Sequence, residues 1–344
     1  MSAITTDGLV DKSILFISGF FDDGVAIFFL IMGFFLFKNE NVGKLLKKVF
    51  FSIIIPALVV RIISEVFWGY ITNQRTILDC ITNIQFNWSV FVENLLSFQL
   101  TGSDGSGHLW YIHDYLKIVI MFPVLKLLCT EGKTTVAKAR IWVIAICAID
   151  IILNDIQQIW TLPWGTINPF SIFDVPVFLC LVGYMIWSNK EHIQGNKVVR
   201  SVCLVACLVV NIIRYVLQLK LYSSNINNNY FFYWNTSIGC LFAVCFACFF
   251  LTFLDKRVSI LNWIGSKTFF IYLIHVMVYM YMNSIGVRNK IYEMTAQWND
   301  LWGELAYDVI YTLLIFIACL AIATVIDLLS NMVKKIWEKF EKRL

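Results

Sequence analysis

The stretch GVAIFFLIMGFFLFKNENVGKLLKKVFFSIIIPALVV, residues 24–60, decides the fold. Two apolar runs flank a short segment that holds Lys38, Lys44, Lys47 and Lys48. Crossing the hydrocarbon core takes about 20 mostly apolar residues. Short loops rich in Lys and Arg stay on the cytoplasmic side. The stretch therefore reads as a membrane hairpin with a cytoplasmic turn. The same alternation of basic and non-basic loops recurs along the chain. It gives apolar spans near 17–37, 49–71, 109–129, 141–155, 170–188, 198–219, 230–254, 262–284 and 303–329, the fourth being the shortest. The expected fold is an all-α integral membrane bundle of about nine transmembrane helices. It forms one membrane domain over residues 1–344, with a cytoplasmic C-terminus.

Composition supports this class. Hydrophobic residues make up 59% of the chain and charged residues 15%, against about 25% charged in ordinary soluble domains. Residues 1–13 are polar and acidic, with no basic start and apolar core of a signal peptide. Nine of the ten cysteines lie in or beside apolar runs, where they read as small core residues, and Cys80 falls in an outer loop. No disulfide framework is expected. Of the 27 Lys and Arg, Lys12, Arg75, Lys220, Arg288 and Lys290 fall on the outer side, and Arg61, Lys117 and Arg214 lie within spans. The other nineteen, Lys267 among them, belong to cytoplasmic segments. The basic tail 334–344, with Trp337 and Phe340, reads as an interfacial helix on the inner leaflet.

Ionisable side chains inside a membrane are costly and face protein or a water-filled cavity. On this topology Asp22, Asp23, Arg61, Glu65, His113, Asp114, Lys117, Asp150, Asp174, Arg214, His275, Glu304 and Asp308 all fall in the outer half; Asp327 is the exception. They outline a polar cavity open to the extracytoplasmic side. The alternative is a set of scattered neutralising pairs such as Arg61–Glu65 and Asp114–Lys117, spaced one helical turn apart. His108 and His113 are five residues apart, which is not a same-face spacing for metal ligands. No metal is expected.

Three stretches together resemble the acyltransferase-3 family of multispan membrane acyltransferases. The first is residues 24–37 with the basic segment Lys44, Lys47, Lys48 and Pro56 behind it. The second is HLWYI, residues 108–112, running on to Phe122 and Pro123. The third is WIGSKTFFIYLIH, residues 263–275. The resemblance implies a ten-helix fold that takes an acyl group, usually acetyl, from cytoplasmic acetyl-CoA. It passes that group to a hydroxyl of a cell-surface or lipid-linked glycan in the bacterial cytoplasmic (inner) membrane. It also marks departures. The family's first span, with its arginine and catalytic histidine, has no counterpart here, and residues 1–18 match the outer loop that follows it. Met32 stands where the family has serine.

With that span absent, the expected base is His275, with His113 behind it and Asp114 or Asp174 orienting the ring. Lys44, Lys47 and Lys48 are expected at the coenzyme A phosphates, with plain retention on the basic side as the alternative. Arg61, Glu65, Trp110, Asp174 and Arg214 are expected at the substrate. The partners expected are acyl-CoA, a glycan and the lipid bilayer, with no nucleic acid. The competing expectation is a non-catalytic relative or a glycan transporter built on the same helices.

Overall fold

The computed structural model of the chain describes residues 9–21, 23–38, 41–73, 109–130, 134–160, 174–223, 230–253, 258–298 and 300–341. Their regular structure is helical, with no strand among the described residues. The α-helices are α1 (Leu9–Ser18), α2 (Gly24–Leu36), α3 (Val42–Val49), α4 (Ile55–Asn73), α5 (Trp110–Leu128), α6 (Thr134–Trp160) and α7 (Val175–Ser188). They continue as α8 (Lys190–Ile193), α9 (Lys197–Ser223), α10 (Ser237–Leu251), α11 (Ser259–Ser284), α12 (Val287–Thr295) and α13 (Asp300–Glu341). Four stretches are long and apolar enough to cross a membrane: Lys197–Tyr222, Tyr230–Leu251, Ser259–Ser284 and Leu301–Leu328. Leu127, Trp142, Val202 and Ile317 are all more than half exposed along the helices, a surface suited to lipid rather than water. The chain is a membrane protein of helical class. Cys80, His108 and Asp22 lie outside the described residues.

Three sequence expectations change. The fourth span, read as fifteen residues, is the 27-residue helix α6. Lys267, counted with the loop cations, is buried inside α11 and paired with Asp327 of α13. That partner accounts for the one carboxylate that broke the polar pattern. The run 17–37 is not one continuous helix. It is interrupted after α1 by a turn in which Phe20 and Phe21 donate to Ile17 O and Ser18 O, and α2 begins only at Gly24.

The described helices form two compact units, 1–48 with 114–256, and 49–113 with 257–344. In the first, α2 and α7 pack in parallel, with Phe34 against Trp187 and Phe37 against Tyr184. Glycine makes the approach possible. A Cβ on Gly33 would lie 2.0 Å from Cys180 O, and one on Gly183 would lie 2.2 Å from Leu30 O. Small residues at such crossings let backbones touch, which is how apolar helices gain packing energy within lipid.

The basic helix ends of this unit sit together. Tyr184 donates to Cys129 O, Arg140 to Leu128 O, and Arg200 to Thr252. At the other end, the start of α10 is capped by Thr236, whose Oγ1 accepts from Gly239 N–H at 3.0 Å.

In the second unit, a π-helical turn, Phe50–Ile54, precedes α4. Pro56 has no N–H, and its ring collides with the carbonyl four residues back, so the helix loosens there. α11 packs on α4 and α13. A left-handed Gly286 (φ 77°) turns the chain into α12. The far end of α12 is seated by Gly303, where a Cβ would fall 2.7 Å from Thr295 O.

Candidate functional site

The polar side chains that the sequence singles out in the first unit form two groups away from its basic end. On α5, Asp114 and Lys117 are one turn apart, and the Lys117 ammonium lies 2.8 Å from Asp114 Oδ1 and 3.5 Å from Asp174 Oδ2. Asp174 is placed by the start of α7. It is the extended N-cap, Pro176 follows in the first turn, and Val177 and Phe178 donate to its carbonyl. Two carboxylates therefore share one half-exposed ammonium. Asp150 is buried on α6, and its Oδ1 meets no hydrogen-bond partner among the described residues.

The second group is fully buried. Arg214 of α9 has 0% exposure and Asp23 1%. The guanidinium donates to both Asp23 oxygens, at 2.9 and 2.8 Å, and to Gly19 O at 2.8 Å. It also lies over the rings of Phe232 and Phe242. One turn away, Asn211 donates to Phe16 O at 2.9 Å. A break in an intramembrane helix exposes backbone carbonyls that only protein can satisfy, and α9 supplies the donors for this one. Asn211 is at the middle of α9, so α2 starts partway through the unit. That is why 13 residues carry it to the basic end.

A third cluster was not visible in the sequence. Asp155 accepts from Tyr230 OH and Ser237 N–H, each at 2.8 Å, and from Ser237 Oγ. A carboxylate at the start of α10 complements the helix dipole. Reading α6 as a 27-residue helix, rather than a short span ending at 155, was the signal that would have placed Asp155 inside.

In the second unit, His275 is half-buried on α11, and its Nδ1 lies 2.6 Å from Tyr272 O. A carbonyl oxygen only accepts, so Nδ1 carries the proton, and in the neutral ring the lone pair is on Nε2. The Tyr272 ring stands between Tyr111, 5.6 Å away, and His275, 5.9 Å away. Trp110 and His113 flank Tyr111 on the first turn of α5. α4 buries Arg61 and Ser64, one turn apart. The Glu65 side chain lies outside what is described, so the expected Arg61–Glu65 pairing does too. Between the spans, Arg288 Nε donates to Tyr307 OH at 2.9 Å. That bond pushes the guanidinium pKa further up.

Lys44, Lys47 and Lys48 lie on α3, which starts where Asn41 Oδ1 accepts from Lys44 N–H. Leu45 and Val49 are buried, and the three lysines are exposed on the remaining surface. The sequence-derived site residues thus divide between the units. Asp114, Asp174, Arg214 and the three lysines belong to the first, and Arg61, Glu65, Trp110, His113 and His275 to the second. Among the described residues no cluster of His, Cys, Asp and Glu has the form of a metal site.

Lipid-compatible helices carrying buried, paired charges define a polytopic membrane protein. The profile of the acyltransferase-3 family, described as an acyltransferase domain, matches residues 4–324, and the chain belongs to that family. Neither a curated protein nor a solved structure matches it.

Proposed function

We propose that the chain transfers an acyl group, acetyl in the simplest case, from acyl-CoA to a hydroxyl of a cell-surface or lipid-linked polysaccharide. It does so in a bacterial cytoplasmic membrane, with the basic helix ends in the cytoplasm. Membership of an acyltransferase family supports the reaction type. The observation that carries the residue assignment is the Nδ1 contact of His275 with Tyr272 O. It leaves Nε2 as the basic nitrogen, which is what deprotonating an alcohol near neutral pH requires.

In this reading the acceptor hydroxyl gives its proton to His275 Nε2 as its oxygen attacks the thioester carbonyl. The tetrahedral oxyanion that forms is stabilised by the positive charge of Arg61. Collapse breaks the carbon–sulfur bond, and the departing thiolate takes the proton from His275. Trp110 offers a ring face to the glycan. Lys44, Lys47 and Lys48 meet the carrier's phosphates at the basic end. Arg214, enclosed by Asp23 and Gly19, serves as framework rather than as a contact to substrate.

The test is the acetyl content of the surface glycan with the gene intact, deleted and restored. Deletion is expected to abolish the modification, and His275→Ala in the restored gene to slow it by about 10²–10⁴-fold. Unchanged acetyl content after deletion ends the enzyme reading, and lost glycan export with acetylation intact points to a transporter. An undiminished rate in His275→Ala removes that residue as the base.

A further inference from the structure

At the basic end of the first unit, two ammonium groups converge on one indole. Lys38, just after α2, and Lys190, in α8, each lie 4.5 Å from the Trp187 ring centroid. Lys38 also lies 5.0 Å from the Phe35 ring, and Phe34 stacks against Trp187 at 5.4 Å. Lys126 also lies over a ring, that of Phe122, at 5.6 Å, whereas the remaining cations with defined contacts in this unit reach an oxygen. Lys117 and Arg214 bind carboxylates, Arg140 donates to Leu128 O, and Arg200 donates to Thr252 Oγ1 and O. Lys38 and Lys190 meet only aromatic faces, with no carboxylate on either among the described residues.

Two positive charges held over the same ring repel one another, and the ring quadrupole attracts each without cancelling its charge. The arrangement gains most when an anion with several acceptor oxygens joins both ammonium groups. The indole itself is fixed by the parallel packing of α2 and α7, which the glycine crossing holds at short range.

We infer that Lys38, Lys190 and Trp187 form a binding site for a phosphate-type anion, separate from the lysines of α3. The ligand chemistry is a pyrophosphate or phosphomonoester. Its source is either the nucleotide portion of the acyl carrier or the headgroup of an anionic lipid. The first source rests on the proposed acyl transfer; the site itself does not.

The experiment uses the full chain in nanodiscs of zwitterionic lipid, titrated with coenzyme A, inorganic pyrophosphate and phosphate-free pantetheine. Lys38→Gln with Lys190→Gln is expected to weaken coenzyme A and pyrophosphate about 10-fold or more, with Lys→Arg at both positions holding affinity within about threefold. Pantetheine binding stays unchanged. In a parallel arm, native mass spectrometry counts phosphatidylglycerol retained by each variant. If the anion is a lipid headgroup, the Gln pair loses that lipid while coenzyme A affinity is unaltered. Unaltered coenzyme A, pyrophosphate and lipid binding in the Gln pair overturns the site. Matching elution profiles and thermal transitions confirm that the variants fold. Loss of pyrophosphate binding in a chain that transfers no acyl group keeps the site and rejects the enzyme reading.

Discussion

Arg214 and Asp23 show what one residue pair must accomplish inside a membrane protein. Neither side chain is exposed, and 191 positions separate them in the chain. Removing one partner leaves a charge stranded without water. Asp23→Asn is therefore expected to cost about 3–5 kcal/mol, read as a fall in thermal stability of the detergent-solubilised protein. Replacing both, as Asp23→Leu with Arg214→Met, should recover much of that loss, because the pair's own net worth is small beside the penalty of an orphaned charge. A double variant no better than the single one would show that the bond from Arg214 to Gly19 O matters more than the pairing. Arg214 was legible in the sequence as an intramembrane cation. Its engagement with Asp23 and the α1–α2 break was not, since nothing local links residues so far apart. His275 was legible as a candidate from its position in a late span, and the structure added which ring nitrogen holds the proton.

Helices and the places where they stop tell a similar story one level up. Periodicity and length found α5 and the apolar stretches Lys197–Tyr222, Tyr230–Leu251, Ser259–Ser284 and Leu301–Leu328 close to their observed bounds, because continuous apolar runs have few alternatives in lipid; α13 itself runs on through the basic tail to Glu341. The break between α1 and α2 has no local signal, since residues 17–37 remain apolar almost throughout and, among the described residues, Asn211 and Arg214 of another helix make the interruption tolerable. The α2–α7 crossing makes a sharp prediction. Gly33→Ala or Gly183→Ala would drive a methyl into backbone carbonyl oxygen and should destabilise by about 1–3 kcal/mol. Gly24→Ala meets nothing within 4 Å and should stay within about 0.5 kcal/mol of the parent. Thermal unfolding of the three variants in one detergent checks this. Equal stability for all three would mean that the helices part without loss.

For the whole molecule, the distribution of charge is the organising feature. In the first unit, side-chain bonds tie the ends of α5, α6, α7, α9 and α10 that carry Lys and Arg to one side. Assigning that side to the cytoplasm predicts that a cysteine at Lys47 reacts with a membrane-impermeant maleimide only after permeabilisation. One at Asn227, between α9 and α10, should react in intact cells. The reverse pattern would invert the topology and place His275 in the wrong leaflet for a surface acceptor.

Hydrophobic runs and basic loops determined the helical membrane class and the approximate span positions, because these depend on transfer free energy and loop charge, both local properties of the chain, and three short motif stretches carried the family resemblance. Tertiary structure alone decided that Lys267 is buried against Asp327, that α2 starts partway through its unit, that Asp155 anchors α10, and that two lysines share Trp187. Each of these depends on which distant groups come within a few ångströms, and in a low-dielectric interior that proximity determines whether a charge is tolerated, paired or left to bind a ligand.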